Sequence, residues 1–380
     1  MKVTFPAMKG TIGGRTYYSC LMPLRTVPKM FTFRDWAEFT PEEREQRVLN
    51  DKRIPHISKY ILDNEEGYVF ASITASYKCD VSFTELAEGN IGTVEMDFDE
   101  AEFVINDGQH RCAAIAHALK QNPSLGDETI SVLLFEYESR DRMQQVFSDL
   151  NRFVQKTSKS LDILYDKRDP LSRLTLDVIK MMDVFNGMVD RDAISIGVRS
   201  TKLFTLSTIY DANNELLKNH DVAGDEDGEG SSYQELVALA VAFWTEVSKQ
   251  IPVWKQVKDQ HMRAMELRQE SLAAHTTVMR AIGGAGADLL KSHPEDWAKR
   301  LIPLSTINWR KDNPEWDGVC LVAGSVSSNR QSRQATKAFV KRKLNIELTD
   351  GEARSLASPE QLISEVTKGP IAEQNQVAFN

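Results

Sequence analysis

Between residues 102 and 120 the chain reads EFVINDGQHRCAAIAHALK, and no other stretch constrains its fold as much. An apolar, β-branched run stops at Asp107-Gly108, three polar residues follow, and an alanine-rich helical pattern begins at once. Such a chain must turn sharply from a buried strand into a helix, and glycine permits that turn. The first four N–H groups of a helix lack internal partners, and the helix dipole makes that end positive. An arginine in the first turn is unfavourable unless an anion lies close by. Gly108, Gln109, His110 and Arg111 therefore point to phosphate recognition by main-chain amides, a guanidinium and an imidazole. Asp107 suits a helix cap, an orienting partner for His110, or a metal ligand. The residues alone weigh this evenly against a capped helix whose arginine pairs with a surface carboxylate.

The surroundings predict a mixed α/β region. Strand patterns cover 15–24, 68–77, 93–98, 102–107 and 129–137, with 93–98 and 102–107 read as a hairpin across an acidic turn. Helical patterns cover 40–50, with Thr40 and Glu43 as a capping box, and 54–64. From about residue 139 the chain turns helical, and Met143, Val146, Phe147 and Leu150 form one stripe. Further helices are expected over 169–182, 203–219, 233–250 and 260–283, interrupted by an acidic Gly/Ser loop at 221–232. The expected class is α+β, with a mixed α/β domain over 1–140, a helical domain over 141–293 and a basic C-terminal module over 294–380.

Three further clusters carry candidate chemistry. In DLNRFVQKTSKSL (149–161) an amphipathic helix ends in Asp149, Asn151 and Arg152, and a polar, basic loop follows. Asn151 and Lys156 are candidate phosphate contacts, and Ser160 a candidate cap for the next helix. In GVRSTKLFTLST (197–208), Arg199 and Lys202 precede a helix and suit DNA phosphates. The run SNRQSRQATKAFVKRKL (328–344) holds six basic residues and no acidic one, although the chain has a net charge of −9. Read as a helix, it aligns Arg330, Arg333, Lys337 and Lys341 along one face for contact with DNA phosphates. Asn329, Gln331 and Gln334 are positioned to read base edges. Trp309 and Trp316 are expected to pin the C-terminal module by aromatic burial. Four dispersed cysteines without a CxxC pair, no membrane-length apolar run and no secretory h-region predict a reduced, cytoplasmic setting. There is no Walker A motif.

The Asp-Gly-Gln-His-Arg string resembles the signature of the DGQHR-domain proteins, a branch of the ParB/sulfiredoxin-like superfamily. With DLNRFVQKTSKSL, YDKRDPLSR (165–173), Asn308-Trp309 and the WDG at 316–318, nearly the whole chain is similar to the DndB family of the DNA phosphorothioation systems. The resemblance implies a ParB/sulfiredoxin-like N-terminal domain and a regulator that binds double-stranded DNA at the promoter of the modification operon. It also implies ATP binding and hydrolysis with Mg2+ at the DGQHR turn, with Asp107 and His110 in catalytic roles. Other Dnd proteins, and further copies of the chain, are the partners it points to. The runner-up is a metal-dependent DNA nickase holding its ion between Asp107 and Asp149; a phosphotransferase stands third. Where sulfiredoxins carry a reactive cysteine between Gly and His, this chain has Gln109, so thiol chemistry does not carry over and Cys112 is expected in the core.

Overall fold

Gly13 and Gly14 both adopt left-handed backbone, at φ +56° and +76°, and fold β1 (Lys2–Ile12) back on β2 (Arg15–Pro23). Two consecutive left-handed residues give the tight turn whose twist matches the flanking strands. The computed structural model describes residues 2–31, 40, 49–152, 157–222 and 232–356, which divide into two compact units, residues 1–155 and 156–380.

In the first unit the elements after β2 are α1 (Val27–Met30), α2 (Ile54–Leu62), β3 (Ile73–Lys78), β4 (Val81–Ala87), β5 (Ile91–Asp97), β6 (Glu102–Asp107), α3 (Gln109–Gln121), β7 (Thr129–Glu136) and α4 (Arg140–Arg152). The strands form one seven-stranded sheet in the order β4-β5-β1-β2-β7-β3-β6, in which β3 runs parallel to β7 and the other neighbours are antiparallel. Cys20, Met22, Ile73, Val132 and Leu134 are buried on the sheet, and Cys112, Ala114, Ile115 and Ala118 of α3 belong to the same core. Small side chains on that face let the helix lie close to the strands.

Several sequence expectations are corrected here. Residues 93–98 and 102–107 do not form a hairpin, because β5 and β6 stand apart in the sheet, with β1, β2, β7 and β3 between them. Period-two alternation fixes which face of a strand is buried but not which strand lies beside it. The second expected strand begins at Ile73 rather than residue 68. Strand β1, absent from the expected strands, contains Pro6; the ladder to β2 starts only at Ala7, so the missing N–H breaks no bond on that side. Of the helix expected over 40–50, only Thr40 and residues 49–50 lie among the described residues, and Glu43 lies outside them.

The second unit holds α5 (Lys159–Tyr165), α6 (Pro170–Met181), β8 (Val189–Asp190), β9 (Phe204–Thr205), α7 (Leu206–Leu216), α8 (Tyr233–Gln250), α9 (Val253–Lys258), α10 (Ala264–Glu270), α11 (Thr276–Ser292), α12 (Trp297–Arg300), β10 (Leu321–Val322), β11 (Ser325–Val326), α13 (Arg330–Lys343) and α14 (Asp350–Leu356). No helix among the described residues is long and apolar enough to cross a membrane. The helix expected over 260–283 is instead two helices, because Ser271 bridges to Arg310 and Leu272 N–H bonds to the Trp309 carbonyl. Most of the acidic loop, 223–231, lies outside the described residues. One core runs from Ile163 to Ile346, so residues 294–356 share it with the helices before them rather than forming a third unit. Trp316, fully buried, stacks at 5.7 Å on Trp309 and at 4.4 Å from Phe339 of α13.

Helices α7 and α11 approach closely because of glycine. A Cβ on Gly283 would stand 2.3 Å from the Ala212 main-chain oxygen, whereas one on Gly284 would meet side-chain atoms alone, those of Lys337 at 3.2 Å and Glu215 at 3.7 Å. Gly283→Ala should therefore destabilise the second unit by about 1–3 kcal/mol through overpacking. Gly284→Ala should cost less, about 1 kcal/mol at most, because side chains can give way where a main-chain oxygen cannot. Chemical denaturation followed by the fluorescence of the buried tryptophans measures both.

Candidate functional site

At the end of β6 the chain turns on Gly108, at φ +105°, and enters α3 directly. Two constraints favour glycine here: the left-handed backbone, and Ile73, whose Cγ1 would lie 3.2 Å from any Cβ. No side chain caps this helix. Asp107, expected as a possible cap, instead pairs with Arg111 one turn on.

Arg111 is also placed differently from expectation. Its Nη1 donates to the main-chain oxygens of Ala71 and Ser72 (the latter at 2.8 Å), and its Nη2 donates to Asp107. The guanidinium thus fastens the turn to the segment leading into β3 and pairs with the Asp107 carboxylate. His110 accepts the Asn50 main-chain N–H at Nε2, 3.0 Å away. This bond orients the imidazole against the segment that precedes α2. Beneath the turn, buried Asn106 accepts from Ser76 Oγ at 2.9 Å and donates to Met143 Sδ at 3.4 Å. Cys112 is in the core as expected, and burial pushes its thiol up to about 12, leaving it unreactive.

Residues 106–111 form one wall of a pocket of about 230 Å3, wholly within the first unit. Arg53 and Ile57 come from the start of α2, and Phe147 and Asn151 from α4. The structure therefore brings Asn151 to the DGQHR turn, with its amide steadied by a bond to the Phe147 carbonyl at 2.8 Å. Lys156 lies outside the described residues. Arg53 is not among the residues expected from sequence. It is exposed and has no carboxylate partner among the described residues. Its signal is nonetheless there: Lys52-Arg53-Ile54-Pro55 places cations at the start of a proline-marked helix, as Arg111 is placed at the start of α3.

Asp149 is exposed, accepts from the Gln145 side chain at 2.7 Å, and is not part of the pocket wall. Asp107 is engaged by Arg111 and Asp149 by Gln145, and no group of three or more His, Cys, Asp or Glu among the described residues could hold an ion.

In the second unit, α13 is capped by Asn329, whose side chain accepts the Ser332 N–H at 2.8 Å and so is not available to read bases. The basic face divides. Arg330 and Arg333 are exposed, but Lys337 and Lys341 turn inward. Lys341 is only 3% exposed, 2.6 Å from Glu352 and 3.2 Å from Asp288, while Lys337 reaches Asp288 at 2.8 Å and Glu352 at 3.1 Å. These lysines hold α11, α13 and α14 together and are corrected from DNA contacts to internal ion pairs. Lys202 likewise braces the chain, donating to the Gly187 carbonyl at 2.6 Å, whereas Arg199 is exposed. Ser158, not Ser160, caps α5.

A family model, DndB, described as DNA-sulfur modification-associated, matches residues 5–347. No curated protein and no solved structure gives a match.

The buried pairs set an acid dependence. Burial opposes ionisation of Glu352, yet Lys341, the Thr349 N–H and Lys337 hold its carboxyl at about 2 rather than 4.5. Asp288 is likewise held at about 2 by Lys218 and Lys337 against the effect of burial. A carboxyl depressed in the folded state contributes stability above its unfolded pKa and loses it as pH falls towards the folded one. The stability gap between wild type and Glu352→Gln, about 3 kcal/mol at pH 7 for a broken buried pair, should close as pH falls from 4.5 to about 2. Denaturant titrations at several pH values measure that gap.

Proposed function

The chain belongs to the DndB family of DNA-sulfur modification-associated proteins, and on that premise we propose that it is a nucleotide-responsive, DNA-binding regulator of the sulfur-modification genes. One observation carries the reading: the start of α3, Arg53, which has no carboxylate partner among the described residues, and the oriented His110 and Asn151 surround a single pocket. A helix start with a cation beside it is a ready site for a phosphate group. At about 230 Å3 the pocket is smaller than the roughly 300–1,000 Å3 of sites that enclose a whole ligand. It would seat the phosphates of ATP, with the nucleoside outside them towards Phe147.

In this reading Arg53 carries the charge that Arg111 was expected to supply, and Arg111 holds the turn in shape. Hydrolysis of the bound triphosphate would draw on the two titratable groups of the turn, Asp107 and His110. The described residues offer no carboxylate cluster for a resident ion, so Mg2+ enters as the counter-ion of the phosphates. DNA would lie along the exposed part of α13, where Arg330 and Arg333 meet phosphates and Gln331 and Gln334 lie beside them. Arg199 is a further candidate contact. Nucleotide binding would alter DNA affinity by favouring one conformation over another. Metal-dependent nicking has no observation in its favour comparable to this pocket.

Fluorescence anisotropy with duplex DNA from the operon promoter, across a salt series with and without ATP, tests the proposal. Arg53→Ala should weaken ATP binding at least tenfold at unchanged Tm and abolish the ATP effect on DNA affinity. Arg111→Ala should instead lower Tm, at a cost of about 1 kcal/mol, because the Ala71 and Ser72 oxygens and the Asp107 carboxylate lose their shared donor. Exchanging Arg330 and Arg333 together for alanine should reduce the salt slope of DNA binding by about 2. ATP binding that survives combined loss of Arg53 and His110 would remove the assignment.

A further inference from the structure

A second pocket, of about 860 Å3, lies wholly within residues 156–380, and among the described residues no aspartate or glutamate lines it. Its cations are Arg268 and Lys311. Arg268 gives its Nη hydrogens to four main-chain oxygens, those of Gly197, Val198, Ser200 and Lys202, and so clamps the loop that precedes α7. Lys311 donates one hydrogen bond, to the Arg268 carbonyl at 2.7 Å, which leaves two ammonium hydrogens. Neither cation has a carboxylate partner among the described residues. Burial pulls both below their usual range. A desolvated positive charge without a counter-ion carries a cost that a bound anion removes.

Two helices direct their positive ends into the same space. Thr205, Ser207 and Thr208 at the start of α7, and His275 and Thr276 at the start of α11, all line the pocket. Their hydroxyls form a chain: Ser207 to Thr205 at 3.0 Å, Thr205 to Thr208 at 2.9 Å, and Thr208 to Thr276 at 2.6 Å. Four hydroxyl protons serve these three contacts, so one O–H is left to donate outside the chain. His275 accepts the Thr277 N–H at Nδ1, which puts the imidazole proton on Nε2; burial and the charge of Lys311 keep this ring neutral, with its pKa lowered to about 4. The pocket thus combines an ammonium with hydrogens to spare, hydroxyls and two helix dipoles, with no carboxylate among its described lining residues.

The space is far larger than a bare phosphate needs and falls within the roughly 300–1,000 Å3 of small-molecule sites. Its other wall is apolar, with Met265 inside and Ile194 and Val198 at the mouth, 81% and 64% exposed. We infer that this pocket binds a phosphorylated organic ligand of nucleoside-monophosphate size. The phosphate lies against Lys311 and the starts of α7 and α11, and the organic body lies against Ile194, Val198 and Met265. The site is separate from the one at Gly108 and does not depend on that assignment.

Calorimetric titration of the full chain with AMP, ribose 5-phosphate and inorganic phosphate, at fixed ionic strength, tests the inference. Lys311→Met should weaken AMP binding at least tenfold. Ile194→Glu, which changes an exposed side chain and leaves folding alone, should weaken it at least threefold, and Arg53→Ala should leave this binding event in place. Tighter binding of AMP than of ribose 5-phosphate would identify a nucleoside body, and equal binding a sugar phosphate; either supports the site. Affinities unchanged by both Lys311→Met and Ile194→Glu would overturn it, as would an effect of these variants confined to duplex DNA. AMP binding lost only with Arg53→Ala would overturn this site and leave the first pocket standing. ATP binding lost with Lys311→Met and untouched by Arg53→Ala would do the reverse.

Discussion

At residue 108 the backbone takes a left-handed conformation that side chains rarely adopt, with Ile73 only 3.2 Å from where a Cβ would stand, and glycine is the residue that suits it. The rest of the site follows from that conformation. Because Gly108 turns the chain at once, α3 starts at the end of β6 with no loop between them. Because α3 starts there, Arg111 stands one turn beyond Asp107 and can hold both that carboxylate and the carbonyls of residues 71 and 72. The latch then presents His110 to the Asn50 amide and keeps the pocket open beside Arg53.

The two pockets use the same elements, helix starts and cations, and differ in how charge is balanced. At Gly108 the arginine nearest the helix start is neutralised internally by Asp107, and the cation left over comes from a different segment. In the second unit Arg268 is satisfied in its hydrogen bonds but not in its charge, and Lys311 adds to the imbalance. Hydrogen-bond satisfaction and charge compensation are separate requirements. A guanidinium can meet the first with carbonyl oxygens and leave the second to a ligand.

The same distinction explains α13. From sequence, six basic residues without an acidic neighbour read as a continuous phosphate-binding face. In the folded unit Lys337 and Lys341 are taken up by Asp288 and Glu352, carboxylates carried by two other helices, α11 and α14. What remains exposed is Arg330 and Arg333 in the N-terminal part and Arg342 near the other end. A charge pattern reports the cations of a helix; it does not report which distant carboxylates fold against them.

Much of the fold is legible in the amino-acid sequence. The strand-to-helix switch at Asp107-Gly108, the helical character beyond residue 139, the core position of Cys112 and the buried aromatic pair Trp309–Trp316 depend on local preference and on hydrophobic period, which a sequence displays directly. Gly13-Gly14 carries an equally clear hairpin signal, although the expected strands did not include β1. Strand order, the break at residues 271–275, the inward turn of Lys337 and Lys341, the pairing of Arg111 and the arrival of Arg53 at the pocket depend instead on contacts between distant segments. Periodicity says which side of an element faces the interior, and residue type says what a group can bond to. Which partner it meets there is decided only when the whole chain has packed.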